Sequence, residues 1–115
     1  MDEVIFLEVI EGDAVHARHR LERFPVTVGR GYANDVIVDD PKVSSVHLRI
    51  ERTEDGSLML HDVGSTNGTY LVEPWTRLVQ GVVTSDTRVA VGDTRPRSVA
   101  ACRARQRRVA SVTRK

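Results

Sequence analysis

The chain has 115 residues, 40% hydrophobic, 29% charged and 4% aromatic, which suits one folded unit and excludes a disordered or fibrous chain. One cysteine, Cys102, excludes an internal disulfide framework and a zinc site of paired cysteines, and no apolar run approaches the ~20 residues of a membrane helix. The formal charge of +1 hides an asymmetry: residues 1–94 hold all 16 acids against nine Lys/Arg, a net −7, whereas residues 95–115 hold eight Lys/Arg and no acid.

β-branched residues are abundant, with 19 Val, 4 Ile and 9 Thr, and they favour strands. Strands are predicted over 3–11, 15–23, 25–29, 36–38, 46–52, 57–62, 69–72, 75–79, 87–91 and 97–104. Turn signals separate them at Gly12-Asp13, Phe24-Pro25, residues 29–31, Asn34-Asp35, residues 39–42, Asp55-Gly56, residues 64–68, Glu73-Pro74, Ser85-Asp86 and Gly92-Asp93. Period-two alternation sets Val46, Leu48 and Ile50 opposite His47, Arg49 and Glu51. Leu58 and Leu60 likewise oppose Met59 and His61, and Val89 and Val91 oppose Arg88 and Ala90. No amphipathic helical pattern of three turns precedes residue 97, and no internal repeat is found. These features predict an all-β fold, an antiparallel β-sandwich or small barrel. From residue 103 onward the chain reads as a basic extension in helix or coil.

A sandwich is a rigid frame whose chemistry sits on loops. Three loop clusters carry complementary groups: Gly29-Arg30; the run Lys42, Val43, Ser44, Ser45, Val46, His47; and the run Asp62, Val63, Gly64, Ser65, Thr66, Asn67, Gly68, Thr69. Together they supply a guanidinium, an ammonium, hydroxyls and an amide, the groups that bind a phosphate and its peptide backbone. Taken singly, each has a plainer reading. Arg30 would be a solvated loop charge, Ser44-Ser45 a hydroxyl-stabilised turn, and Asn67-Gly68 a hairpin signal that leaves Ser65, Thr66 and Thr69 unexplained. His47 suits a structural hydrogen bond, Asp62 a brace for the loop after it, and Cys102 a small core residue. Trp75 is either a packed hairpin anchor or an exposed contact.

In order and spacing, Gly29-Arg30, Asn34-Asp35, Ser44-Ser45-Val46-His47 and Ser65-Thr66-Asn67-Gly68-Thr69 resemble the forkhead-associated (FHA) family of phosphothreonine-peptide binding modules. A downstream polar turn, apolar strand and glycine, Ser85 through Gly92, extends the resemblance, which covers residues 4–104. It implies a SMAD/FHA-like antiparallel β-sandwich of about eleven strands with its binding loops at one end. It further implies that Arg30, Lys42, Ser44, Ser45, Thr66 and Asn67 bind the phosphopeptide, and that Gly29, His47, Asp62, Ser65 and Gly68 shape the loops. Ser45 stands where the family usually has Arg, so one possible positive charge is missing. The implied partner is a phosphothreonine-containing protein, with residues 1–104 as the module and 105–115 as a basic extension or linker within a longer parent chain.

Enzyme readings find little support. Ser44, His47 and Asp62 contain the elements of a triad without a nucleophile elbow, and the residues from Gly29 to Asn34 do not complete a dinucleotide fingerprint. His16 and His19 have no companions for a metal, so neither metal nor cofactor is expected. The basic tail leaves alternatives open: a linker, a polyanion-binding segment, or the approach to a membrane segment beyond this chain. It has no aromatic residues for base stacking, so nucleic acid is not expected. Phosphate-independent interaction or self-association is a further alternative. Met1-Asp2-Glu3 is acidic where a secretory signal is basic, and with a lone cysteine this predicts a reducing, cytoplasmic setting.

Overall fold

Short alternating segments form eleven strands in the computed structural model, which describes residues 3–11, 14–72, 75–83, 87–91 and 100–108. They are β1 Glu3–Glu11, β2 Ala14–Leu21, β3 Val26–Gly29, β4 Val36–Ile37, β5 Leu48–Arg52, β6 Leu58–Asp62, β7 Thr69–Leu71, β8 Thr76–Arg77, β9 Gln80–Val83, β10 Arg88–Val91 and β11 Ala100–Arg108. One sheet has the order β2-β1-β11-β10-β7-β8 and the other β4-β3-β5-β6-β9. No helix among the described residues is long and apolar enough to cross a membrane.

The core lies between the two sheets. Ile5, Leu7, Val9, Leu21, Val89 and Val91 come from the six-stranded sheet, and Val26, Val28, Leu48, Ile50, Leu58, Leu60 and Val83 from the five-stranded one. Val36, Val38, Val43 and Leu78 close its margins. The period-two placement of these residues is what a half-buried sheet requires.

Register brings the loops together. Val28 on β3 pairs with Leu48 on β5, and Leu48 pairs with Asp62 on β6. The end of β3, the start of β5 and the end of β6 are therefore side by side in one row. Segments 30–35, 38–47 and 63–68 all leave the sandwich at that end.

Several sequence expectations are corrected. β3 and β4 pair in parallel, Val28 with Val36, so the sandwich is not wholly antiparallel. The Asp35 carboxylate holds this pairing, accepting from the Thr27 N–H at 2.9 Å. The alternation over 46–52 breaks at its start: β5 begins at Leu48, and the loop before it leaves Val46 49% exposed while His47 is fully buried. Ala90 is buried with its neighbours, because its register partner Tyr70 offers a large ring beside it. The segment predicted as one strand over 75–79 holds only β8, and the unforeseen β9 follows it. No strand is predicted over residues 80–83, and pairing with β6 from Leu58↔Val83 to His61↔Gln80 makes them one. The basic stretch from Arg103 to Arg108, read as helix or coil, continues β11 by pairing along β1 from Glu8↔Arg103 to Glu3↔Arg108. The turns at Gly12-Asp13, Glu73-Pro74, Ser85-Asp86 and Gly92-Asp93, residues 109–115 and the Cys102 side chain lie outside the described residues. Trp75 stacks on Tyr70 with ring centroids 4.9 Å apart and remains exposed, so it is packed on one face and open on the other.

Ile50 is fully buried at the centre of β5. Ile50→Ala is expected to lower stability by about 2–5 kcal/mol, read as a shift in the urea midpoint at unchanged slope.

Candidate functional site

The three loops are joined by bonds that cross from one to another. The Arg30 N–H donates to the Ser44 carbonyl at 2.9 Å, and the Gly31 N–H to the Ser45 carbonyl at 3.1 Å. This approach needs a residue without Cβ at position 29, where a Cβ would lie 2.3 Å from the Ser45 carbonyl oxygen. Arg30 is exposed, and its Nε donates to the Val43 carbonyl at 2.9 Å. That bond orients the guanidinium and leaves its Nη groups pointing to no acceptor among the described residues.

The second and third loops meet at Ser44. Its Oγ accepts the Thr66 N–H at 3.1 Å, so its own proton remains available to donate. Asn67 Nδ2 donates to the Lys42 carbonyl at 2.8 Å. His47, buried beneath both loops, accepts the Ser44 N–H on Nδ1 at 3.1 Å and reaches the Gly68 carbonyl from Nε2 at 2.9 Å. Nδ1 must be bare to accept and Nε2 must carry the proton to donate, so the ring is the neutral Nε2–H tautomer. Burial lowers its pKa from the usual 6.5, against the Gly68 bond and the Asp62 charge, which raise it.

Asp62 braces the third loop. Oδ1 accepts the N–H groups of Gly64 at 3.0 Å and Ser65 at 2.7 Å. Oδ2 accepts the hydroxyls of Ser65 at 2.7 Å and Thr69 at 2.8 Å. Ser65 Oγ in turn accepts the Gly68 N–H at 3.0 Å, and Gly68 has a φ of 91°, open to glycine. Burial pushes the Asp62 pKa up, but the Ser65 and Thr69 bonds outweigh it and hold the carboxyl below its usual 3.8.

All the sequence-proposed residues therefore fall at one end of the sandwich. Arg30, Lys42, Ser45, Thr66 and Asn67 are exposed, and Ser44 is half-buried among them. Ser45 enters through its carbonyl, which receives Gly31 and Asn34. The arrangement gives no base to Ser44: both His47 nitrogens are committed to backbone groups, so a serine–histidine relay does not form.

Asn34 was not among the proposed site residues, though its place in the Asn34-Asp35 pair was the available signal. It is buried, and its Nδ2 donates to the carbonyls of Gly31 at 2.8 Å and Ser45 at 2.6 Å. Its Oδ1 is buried with no hydrogen-bond partner among the described residues. Thr69, fully buried with its hydroxyl on Asp62, is a second structural member of the site.

A family model described as "FHA domain" matches residues 26–94. An oxoglutarate dehydrogenase inhibitor of Corynebacterium diphtheriae is 43% identical over 65 residues, 56% of this chain and 45% of that protein. The FHA domain-containing protein FhaB of Mycobacterium tuberculosis is 33% identical over 87 residues, 76% of this chain and 51% of that protein. The chain thus spans about half the length of these curated relatives. The N-terminal FHA domain of Saccharomyces cerevisiae Rad53p, solved with a phosphothreonine peptide, shares the fold at a TM-score of 0.73 and 21% identity, over 89% of this chain and 92% of that one.

The lowered pKa values set a pH response. Below 6.5 the unfolded chain takes a proton at His47 that the folded ring refuses, so stability falls as pH drops from 6.5 toward the folded value. Asp62 contributes stability above 3.8, and that contribution disappears as pH falls from 3.8 through its folded value. Urea midpoints measured against pH are expected to be flat above about pH 7 and to decline in these two steps.

Proposed function

The chain belongs to the FHA family, and from that premise we propose that its loops capture a phosphothreonine within an extended peptide. What supports this reading is the convergence of Arg30 with Ser44 and Thr66, 14 and 36 residues further along the chain, through bonds between loops. Phosphothreonine carries about −1.5 to −2 charges and three acceptor oxygens at neutral pH. The Arg30 Nη groups supply a charged fork, and the Ser44 hydroxyl donates its free proton. The Thr66 N–H, now held by Ser44 Oγ, transfers to a phosphate oxygen as that hydroxyl turns from acceptor to donor. Lys42 and Ser45 flank Ser44 and add charge and a hydroxyl.

Asn67 reads the peptide rather than the phosphate. With Nδ2 given to the Lys42 carbonyl, its Oδ1 is left to accept a main-chain N–H beside the phosphothreonine. Preference for phosphothreonine over phosphoserine rests on contact with the γ-methyl. In a longer parent chain, the module recruits a phosphorylated protein in the cytoplasm without a cofactor, and its fold extends through β11 to Arg108 rather than ending at residue 104.

Fluorescence anisotropy with one peptide in threonine, phosphothreonine and phosphoserine forms tests the reading. Only the phosphothreonine form is expected to bind well, and Arg30→Ala and Ser44→Ala are each expected to weaken it about tenfold or more, the loss of one charge-assisted bond. Equal binding of the unphosphorylated peptide would sink the proposal.

A further inference from the structure

Tyr70 and Trp75 form an aromatic pair outside the core. Their ring centroids lie 4.9 Å apart and their planes differ by 8°. At this edge of the six-stranded sheet the core is filled by Leu78 and partly by Leu71, not by either ring. Tyr70 has a structural use, since it flanks the buried Ala90 across the register. Trp75 adds a second layer and keeps 37% of its surface exposed. Tryptophan is highly buried on average, and packing alone does not account for an indole this open.

The pair adjoins the recognition loops. A Cβ at Gly68 would lie 3.0 Å from Tyr70 Cε1 and 3.2 Å from its hydroxyl oxygen, so the phenol rests against the turn that follows Asn67. No hydrogen bond joins that hydroxyl or the Trp75 indole N–H to another described residue. Arg77, exposed and directly opposite Tyr70 on β8, puts a cation beside the pair.

We propose that the Tyr70–Trp75 stack is a second subsite of the peptide groove, where the open face of Trp75 takes an aromatic side chain flanking the phosphothreonine. The inference rests on the phosphothreonine reading above and adds to it the class of residue read beside the phosphate. Continuity with the loops selects the peptide as occupant. An extended main chain advances ~3.3 Å per residue, so one held at Asn67 reaches a stack that begins at Gly68 within a few residues. The chemistry of the pair selects the side chain. A carboxylate would meet the negative faces of two rings, and an ammonium or guanidinium would meet Arg77. A small aliphatic group would cover less of the indole, whereas an aromatic ring continues the stack by one layer. The Tyr70 hydroxyl, beside Gly68, is free to donate to a carbonyl of the same peptide.

Trp75 is the only tryptophan in the 115-residue chain, so its emission reports on the subsite directly. The probes are phosphothreonine peptides with alanine at every other position, into which one phenylalanine is moved through successive positions on both sides. At one flanking position phenylalanine is expected to tighten binding about fivefold over alanine and to shift Trp75 emission to shorter wavelength as the indole leaves water. Glutamate or lysine there is expected to give no such gain. Trp75→Ala is expected to erase the fivefold preference and Trp75→Phe to keep it, while the emission shift is read on the unmodified protein and does not depend on a variant folding. No favoured phenylalanine position, an emission unmoved by the favoured peptide, or a preference that survives Trp75→Ala would each overturn the subsite. The two readings fail differently. An all-alanine phosphopeptide that binds without any phenylalanine preference overturns the subsite alone, whereas one that binds no better than its unphosphorylated form overturns both.

Discussion

A single buried imidazole holds the recognition end together. His47 joins the Ser44 N–H to the Gly68 carbonyl, two backbone groups 24 residues apart. It can do this only as a neutral ring with one fixed tautomer, because one partner is a donor and the other an acceptor. The burial that keeps it neutral also makes its bonds strong, since water does not compete for the same groups. Ser44 and Thr66 stand where they do because the loops behind them are tied through this ring.

The electrostatics of the site follow from the same economy. Asp62 is the acid built into the third loop, yet four donors occupy its oxygens and turn its charge inward. His47 adds no charge. The outward-facing groups are then Arg30 and Lys42 with the hydroxyls around them, a local cationic patch on a strongly acidic body. Such a contrast favours a compact, doubly charged group at one place over a diffuse polyanion anywhere.

Much of this was legible in the sequence, for reasons that differ by residue. The core strands announced themselves because Leu48 and Ile50, Leu58 and Leu60, and Val89 and Val91 follow the two-residue period of a half-buried sheet. The loop residues were visible as an ordered set of motifs. What escaped detection depends on tertiary pairing. Gln80–Val83 becomes a strand only because β6 has an open side, and His47 is buried only because the loops close over it. Asn34 escaped because a buried amide holding two carbonyls carries the same letter as a surface turn residue.

Gly29 shows why the loop set acts as a unit. The Ser45 carbonyl approaches so closely that any side chain at position 29 would displace it, and the same carbonyl receives the Gly31 N–H and the Asn34 amide. Moving that carbonyl moves Ser44 beside it. Ser44 in turn holds the Thr66 N–H and, through His47, the Gly68 turn. A methyl group at residue 29 would be felt at residue 66 through the Ser45 carbonyl, its neighbour Ser44 and the bond that Ser44 Oγ accepts from the Thr66 N–H. Residue types beneath the loop surface are thus constrained as tightly as those on it, and the motif is recognisable in sequence because geometry leaves its members few substitutes.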